Sequence, residues 1–282
     1  MVDPEQLPQD YPPAQHVLRD LRLWSEAGAE PPVAGMPVVP ELFGATGACS
    51  AGALGVLVDA VAGGAALRAA RNGAAAASGW IATSDLRLHW LAPVRSGELV
   101  ARAQALRSGR TNVVLEVEVH AAGSLVAHAA VAFSRLEAQG EYQQRPRGER
   151  LGRVAFGVAG AGVARPFAEA LGAQRGAAAA GELELPLAPY VGNSLGGLQG
   201  GVAVALLDLA AEAAGGAWLG RPAATRDLAV HFLALGRRGP IRTRATRLRR
   251  ADEDVLLRIE SRDAGAENRL CTLATATVGS FP

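Results

Sequence analysis

The chain contains two copies of one unit, and this internal repeat restricts its fold more than any other feature of the sequence. Residues 39–66 align without a gap on residues 188–215, so each position of the first stretch recurs 149 residues later. Residues 82–93 then match residues 224–235 at an offset of 142, which leaves seven extra residues in a loop of the first copy. We therefore expect two structural units of the same kind in one chain.

Each copy shows the same succession of hydrophobic patterns. A stretch of small apolar residues comes first, over residues 47–66 in one copy and 193–214 in the other. This stretch is long enough for a helix and apolar on nearly every side, so the helix must be buried. Four runs follow in which apolar and polar residues alternate, and this pattern is typical of antiparallel strands. We predict an α+β fold in which a sheet curls around one central helix in each copy.

The repeat also predicts the division of the chain. We expect an N-terminal unit over residues 1–136 and a C-terminal unit over residues 163–282. Residues 137–162 lie between them and begin with a polar segment that contains proline and glycine, which is typical of a linker. Residues 12–24 predict an amphipathic helix ahead of the first unit, and residues 166–173 predict its counterpart ahead of the second.

The composition argues against several classes of protein. The net charge is +1, so the chain lacks the positive charge with which nucleic-acid-binding proteins neutralise phosphates. Cys49 and Cys271 are the only cysteines, which predicts neither a disulfide framework nor a metal site. The N-terminus lacks the basic and apolar regions of a secretory signal. The most apolar stretch, residues 47–66, is interrupted by Asp59, so we expect a soluble cytoplasmic protein with no membrane partner.

Two aligned carboxylates, Asp59 and Asp208, lie within the predicted buried helices. An ionised carboxylate is unfavourable in such a place unless it is paired or functional. A purely structural role, with the side chain bonded to backbone at a helix irregularity, stays open at this point. Gly200 and Gly201 stand at the start of the second helix, where the N–H groups of the first turn carry partial positive charge and attract anions. These glycines would let a substrate approach the backbone closely.

The spacing of Asn193, Gln199, Gly200, Gly201 and Asp208 resembles that of the hotdog-fold acyl-CoA thioesterases. The resemblance is to tandem proteins similar to the thioesterases of the phenylacetate pathway, within the 4-hydroxybenzoyl-CoA thioesterase superfamily. In that family an Asn precedes a His-Gly-Gly turn by six residues, and an Asp follows the second Gly by seven. The spacing is the same here, but Gln199 stands in place of the family histidine.

The resemblance covers roughly residues 40–136 and 185–282. It implies two hotdog units in one chain, each an antiparallel sheet wrapped around a long central helix and paired as a pseudo-dimer. It further implies hydrolysis of an acyl-CoA substrate without a cofactor, because coenzyme A is part of the substrate. A homodimer of such double-hotdog chains is a further expectation.

One helix cannot supply both parts of such a site. Asp208 lies eight residues beyond Gly200, which is about 12 Å at 1.5 Å per residue. Because a single thioester carbonyl cannot contact both, the site must combine two helices that run in opposite directions, one from each unit. The donor end of the second unit, with Asn193, Gln199 and Gly200, would then face Asp59 of the first.

The donor end of the first unit is poorer in polar groups. It would place Gly44, Ser50 and Ala51 opposite Asp208. We therefore expect Asp59 to be the working carboxylate and Asp208 to be weaker or vestigial. The predicted catalytic residues are Asp59, Asn193, Gln199, Gly200 and Asp208, and the predicted substrate-binding residues are Gly201, Ser50, Ala51, Thr83 and Thr225.

The sequence leaves two catalytic routes open. The carboxylate would either attack the thioester carbon, giving a mixed anhydride, or activate a water molecule. Thr83 and Thr225 recur at the start of a strand, and Thr225 resembles the threonine that assists an aspartate in medium-chain double-hotdog enzymes. The candidates for binding coenzyme A phosphates are surface arginines, which also fit a solvated strand face: Arg107, Arg110, Arg247, Arg249 and Arg250.

Two other functions also stay open. A non-catalytic acyl-CoA-binding protein would explain the missing family histidine and the reduced donor end of the first unit. A hotdog hydratase or dehydratase is less favoured, because it needs a histidine near the helix start. His89 and His231 recur on alternating strands, where a histidine is more often packed than a ligand. Ser50 has no GxSxG context, which argues against a serine hydrolase.

Overall fold

The structure is a computed structural model, and it describes residues 11–71, 80–136, 152–156, 162–176 and 179–281. Each copy of the repeat forms one long helix and a set of antiparallel strands, so the predicted fold of two hotdog units is confirmed. Residues 1–10, in which we expect no signal sequence, lie outside the described residues. The same holds for residues 137–151, which are most of the predicted linker.

The first unit has two short strands ahead of its helix and four long strands after it. The elements are α1 (Val17–Asp20), β1 (Trp24–Ala27), β2 (Val33–Pro37), α2 (Ala51–Arg71), β3 (Trp80–Trp90), β4 (Glu98–Ser108), β5 (Asn112–Ala121) and β6 (Ser124–Leu136).

The second unit repeats this order. A short strand, β7 (Gly152–Ala155), precedes it. Its elements are α3 (Phe167–Leu171), β8 (Gln174–Arg175), β9 (Leu183–Leu185), α4 (Gly200–Leu219), β10 (Ala224–Phe232), β11 (Ile241–Arg250), β12 (Asp254–Asp263) and β13 (Arg269–Gly279).

All these strands belong to one sheet in the order β7-β1-β2-β4-β5-β6-β3-β10-β13-β12-β11-β9-β8. The two units join where β3 pairs antiparallel with β10, and Arg87 lies opposite Ala229 at the centre of this pairing. Two reciprocal histidine–aspartate hydrogen bonds flank the centre, His231 with Asp85 and His89 with Asp227. The recurring histidines therefore connect the two units through their side chains, on the partly exposed face of the sheet.

The two central helices pack against each other with opposite directions. Gly55 of α2 lies against Val204 of α4, and a Cβ atom at Gly55 would be 2.4 Å from Val204 Cγ1. These two residues occupy aligned positions of the repeat, so the pseudo-twofold axis passes between them. A large residue thus fills the space left by a glycine. Two identical subunits have no such option, because both would carry the same residue at the axis.

Burial explains the long apolar runs of α2 and α4. By length and composition alone, both helices are long and apolar enough to cross a membrane, and this includes α2 although Asp59 interrupts it. In each of them, however, 67% of the apolar segment is buried inside the fold. The sheet and the partner helix therefore supply the apolar surroundings that these sequences require.

The predicted helix over residues 12–24 is much shorter in the structure, since α1 covers Val17–Asp20 alone. His16 ends the extended segment before it, and its ring Nδ1 accepts a hydrogen bond from the Leu18 N–H at 3.2 Å. Arg22 takes a left-handed conformation with φ of 52°, which stops the helix. The apolar side chains of this segment are buried all the same, and this burial produces the amphipathic pattern.

The predicted linker also contains a strand that the sequence did not indicate. Residues 152–155 form β7, which pairs antiparallel with β1, and Arg153 lies over the Trp24 ring. The strand covers an edge of β1 whose N–H and C=O groups would otherwise be unpaired. The predicted counterpart helix over residues 166–173 is present as α3.

Candidate active site at the start of helix α4

The helix α4 begins where the glycine turn predicts, and Gln199 caps it. The Gln199 side-chain oxygen accepts a hydrogen bond from the Val202 N–H at 2.7 Å, which satisfies one of the unpaired donors of the first turn. The other end of the same amide, Nε2, donates to Asp59 Oδ2 at 2.7 Å. One side chain therefore connects the start of α4 to the carboxylate on α2 of the other unit.

Asp59 receives three hydrogen bonds, and we call Asp59 and the three residues that donate to it the Asp59 site. Its Oδ2 accepts from Gln199 Nε2 and, at 3.0 Å, from the Gly201 N–H. Its Oδ1 accepts from Thr83 Oγ at 2.8 Å. The structure thus brings Asp59, Gln199, Gly201 and Thr83 together from both units. This is the cross-unit arrangement that the helix length requires.

Opposing effects act on the ionisation of Asp59. Burial raises the pKa of this carboxyl, because a charge loses its hydration there, while the bonds from Thr83, Gly201 and Gln199 act in the lowering direction. The net pKa stays above its ordinary value. The partial positive charge at the start of α4 adjoins the carboxylate. The result is a buried, oriented carboxylate of increased basicity.

The two glycines allow the close approach of the helices. A Cβ atom at Gly200 would lie 2.9 Å from both Asp59 Oδ1 and Thr83 Oγ. A Cβ atom at Gly201 would lie 2.6 Å from Val56 Cα. Either side chain would push the start of α4 away from Asp59, so both positions require glycine for a packing reason.

Asn193 shapes the loop that leads to the site. Its Oδ1 accepts hydrogen bonds from the Leu195 and Gly197 N–H groups at 2.9 and 3.0 Å, and its Nδ2 donates to the Leu198 carbonyl at 3.0 Å. These bonds use both ends of the amide within the loop. Asn193 therefore positions Gln199 and is not among the groups that contact Asp59.

The equivalent place in the other half, the Asp208 site, has fewer bonds. Asp208 Oδ2 accepts from the Gly52 N–H at 2.7 Å, which mirrors the bond between Gly201 and Asp59. Burial raises the pKa of Asp208 and the nearby Thr225 acts to lower it, but among the described residues neither the Thr225 hydroxyl nor Asp208 Oδ1 has a hydrogen-bond partner. Ser50 Oγ accepts from the Ala53 N–H at 3.1 Å and so caps α2.

The difference between the two sites follows from the length of the capping side chain. Gln199 caps its helix with one end of an amide and reaches Asp59 with the other. Ser50 has one oxygen, which it uses for the cap, and Ala51 begins α2 without a polar side chain. Asp208 therefore has no counterpart of the hydrogen bond that Gln199 donates to Asp59.

Glu212 is a charged residue at the Asp208 site that the sequence analysis missed. It lies one helical turn beyond Asp208, and its Oε2 accepts a hydrogen bond from the Ala45 N–H at 3.2 Å. Burial and the neighbouring Asp208 raise the pKa of Glu212 to about 8, and burial raises the pKa of Asp208 to about 6. The signal was available, since a second acid four residues after Asp208 falls on the same helix face.

The remaining predicted groups lie elsewhere. Arg247 stacks over the Trp218 ring at 3.9 Å, and Arg249 pairs with Asp254 at 3.2 Å. The other candidate arginines, Arg107, Arg110 and Arg250, lie exposed at or beside strand ends. Across the described ranges, no group of three or more His, Cys, Asp or Glu side chains is placed to hold a metal ion.

Residues 46–128 match the family model of the thioesterase superfamily. This segment contains α2 with Asp59 and the strands β3 to β5. Over this segment the first unit is similar to the thioesterase superfamily. The resemblance to hotdog-fold thioesterases that the sequence indicates is thereby confirmed. A comparison with curated proteins gives no match.

Solved structures show the double-hotdog fold over nearly the whole chain. A candidate thioesterase of Novosphingobium aromaticivorans aligns with a TM-score of 0.60 at 14% identity, covering 90% of this chain and 97% of that one. The tesB protein of Mycobacterium avium subspecies paratuberculosis gives 0.57 at 14% identity, with 92% and 95% covered. A hotdog protein of unknown function from Alicyclobacillus acidocaldarius gives 0.54 at 14% identity, with 95% and 99% covered. At these identities the likeness concerns the fold.

Proposed function

We propose that this double-hotdog protein hydrolyses an acyl-CoA thioester to the free acid and coenzyme A at the Asp59 site. One observation carries the proposal: the buried Asp59 carboxylate is fixed by Gln199 and Gly201 at the positive end of a helix from the other unit. The thioesterase-superfamily match of the first unit supports this reaction class.

The start of α4 offers one backbone donor for the thioester oxygen. The N–H of Gly201 donates to Asp59, that of Val202 donates to the Gln199 side chain, and that of Ala203 donates to the Gln199 carbonyl at 3.0 Å. The Gly200 N–H takes part in none of these bonds, so it is the donor of the first turn that can bind the thioester oxygen. A carbonyl oxygen placed on it would gain negative charge in the transition state next to the positive end of the helix.

Asp59 supplies the base or the nucleophile, and both routes fit its surroundings. In the first route, water attacks the thioester carbon and gives its proton to Asp59, and the C–S bond then breaks to release the coenzyme A thiolate. In the second, an Asp59 oxygen bonds to that carbon as the thiolate leaves, and water hydrolyses the resulting anhydride. Its raised pKa makes the carboxylate a stronger base and a better nucleophile for either step. Rapid quenching and mass spectrometry distinguish the routes, because only the second adds the acyl mass to Asp59.

The acyl group has apolar surroundings beside α2. A Cβ atom at Gly63, one turn beyond Asp59, would have the Phe133 ring of β6 as its nearest neighbour at 3.8 Å. We propose that the acyl chain lies along this face of α2, where Gly63 contributes no side chain. For the phosphates of coenzyme A we propose Arg107 and Arg110, which are exposed on the first unit.

Measuring thiol release from a panel of aliphatic and aromatic acyl-CoAs tests the proposal. We expect turnover with at least one class and none in the absence of protein. A second function, acyl-CoA binding without hydrolysis, is favoured by one observation: both oxygens of Asp59 already accept hydrogen bonds. Binding in calorimetry without thiol release from any substrate would establish that function and reject hydrolysis.

A further inference from the structure

The two sites differ by a reciprocal exchange of residues. Glu212 aligns with Gly63, and Asn193 aligns with Gly44. The Asp59 site therefore combines the loop residue Asn193 with a glycine on the helix. The Asp208 site combines the loop residue Gly44 with a glutamate on the helix.

The loops at the two sites have the same backbone turn. The Asn193 N–H donates to the Gly197 carbonyl at 2.7 Å, and the Gly44 N–H donates to the Ala48 carbonyl at 2.8 Å. In the loop of the second unit, the Asn193 side chain accepts from the loop N–H groups. In the loop of the first unit, Glu212 accepts from a loop N–H, and it comes from the other unit.

The carboxylate of Glu212 fills the space beside Gly44. A Cβ atom at Gly44 would lie 2.6 Å from Glu212 Oε1 and 2.7 Å from Oε2. Glu212 is 8% exposed and Asp208 is fully buried at 0%. At the Asp59 site the aligned Gly63 has no side chain, and a Cβ atom there would contact the Phe133 ring at an ordinary 3.8 Å.

We propose that Glu212 closes the Asp208 site, so that each chain binds one acyl-CoA, and binds it at the Asp59 site. The inference rests on the proposed function for the class of ligand. The Glu212 side chain occupies volume that an acyl chain would need at the Asp208 site.

Calorimetry with two non-hydrolysable probes, hexyl-CoA and phenylethyl-CoA thioethers, tests this closure. We expect one site per chain in the wild type and two in the Glu212→Ala variant. Glu212→Gln is the matched control, because it keeps the volume of the side chain and replaces the acid with an amide, and it should still bind one. Circular dichroism and the thermal midpoint check that each variant is folded.

The reverse change tests the same idea at the other site. Gly63→Glu places a glutamate where the Asp208 site has Glu212, and we expect it to abolish binding and thiol release. Gly64→Glu is its matched control and should bind one probe, because it adds the same side chain one position further on, where nothing lies within 4 Å of a Cβ atom.

The outcomes separate this inference from the proposed function. A wild-type stoichiometry of two, a folded Glu212→Ala variant that still binds one, or a folded Gly63→Glu variant that binds normally overturns the closure. Binding of one thioether by a wild type that hydrolyses no acyl-CoA rejects the hydrolase and supports the closure. A wild type that binds neither probe overturns both.

Discussion

The Gln199 side chain donates a hydrogen bond to Asp59 from the opposite unit of the repeat, at a distance of 2.7 Å. The same amide caps α4 through its oxygen. Gln199 therefore does two things that a serine cap, as at Ser50, cannot do together. It fixes the start of the helix, and it turns the donor end toward the carboxylate.

This double role predicts the effect of Gln199→Glu. The variant keeps an oxygen for the Val202 N–H but loses the donor to Asp59 and places a like charge beside it. Because that charge raises the pKa of Asp59 further, the acid limb of the pH–rate profile should move to higher pH. We expect kcat/KM at pH 7 to fall at least about 10-fold, within the range for disturbed acid–base catalysis.

The thermal midpoint of Gln199→Glu should stay within a few degrees of the wild type, since the cap is retained. A loss of activity with an unmoved pH profile would contradict the role assigned to this amide.

The close packing at Gly200 predicts a position-specific effect of alanine. A Cβ atom there would lie 2.9 Å from Asp59 Oδ1 and from Thr83 Oγ, so Gly200→Ala should move the start of α4 and reduce activity at least about 10-fold, as displacements near 1 Å do. Gly64→Ala on α2 is the matched control, because nothing lies within 4 Å of its Cβ position. Removing a helical glycine should stabilise the control by about 0.5–1 kcal/mol without loss of activity.

Equal activity of these two variants would show that the approach of Gly200 to Asp59 does not matter for the reaction. The comparison needs the rate of thiol release and the thermal midpoint of both.

The acid pair at the Asp208 site predicts how stability depends on pH. The pKa of Glu212 is about 8 in the fold, raised by burial and by Asp208, against an ordinary 4.5. Between these values the folded chain holds a proton that the unfolded chain has lost, so folding takes up a proton. The free energy of unfolding should therefore fall as pH rises through this window and level off above about pH 8.

Replacing Glu212 with glutamine removes this proton uptake. The difference in unfolding free energy between Glu212→Gln and the wild type should grow in favour of the variant from pH 5 to pH 8, by at least about 1 kcal/mol, since each pKa unit corresponds to 1.36 kcal/mol. Urea unfolding at a series of pH values measures it. A difference that stays constant with pH would show that Glu212 ionises normally in the fold.

Much of the fold could be predicted from the sequence because the repeat and the burial patterns are local signals. The two apolar helices and the alternating strands after them are where the hydrophobic periodicity indicates. The short helix α1 was overpredicted, because the burial of its apolar residues in a bent segment gives the same pattern as an amphipathic helix. The strand β7 was missed, because its pairing with β1 is long-range and its sequence shows little alternation.

At the site, the length of a helix sufficed to predict that Asp59 meets the start of α4. The roles of individual polar side chains depended on loop geometry that the spacing does not contain. Asn193 turns into its own loop, and Gln199 reaches across the interface. Glu212 could have been noticed as a second acid on the helix face of Asp208, but its contact with the Ala45 N–H depends on how the two units pack.

The most direct test of the central claim compares two matched variants, Asp59→Asn and Asp208→Asn, in thiol release from the best acyl-CoA substrate. Asparagine keeps the shape of each side chain and removes its ability to act as base or nucleophile. We predict that Asp59→Asn lowers kcat at least about 100-fold, as expected for a lost general base or nucleophile, while Asp208→Asn keeps at least about half of the wild-type rate. Equal losses in the two variants, or a larger loss in Asp208→Asn, would contradict the assignment of catalysis to the Asp59 site.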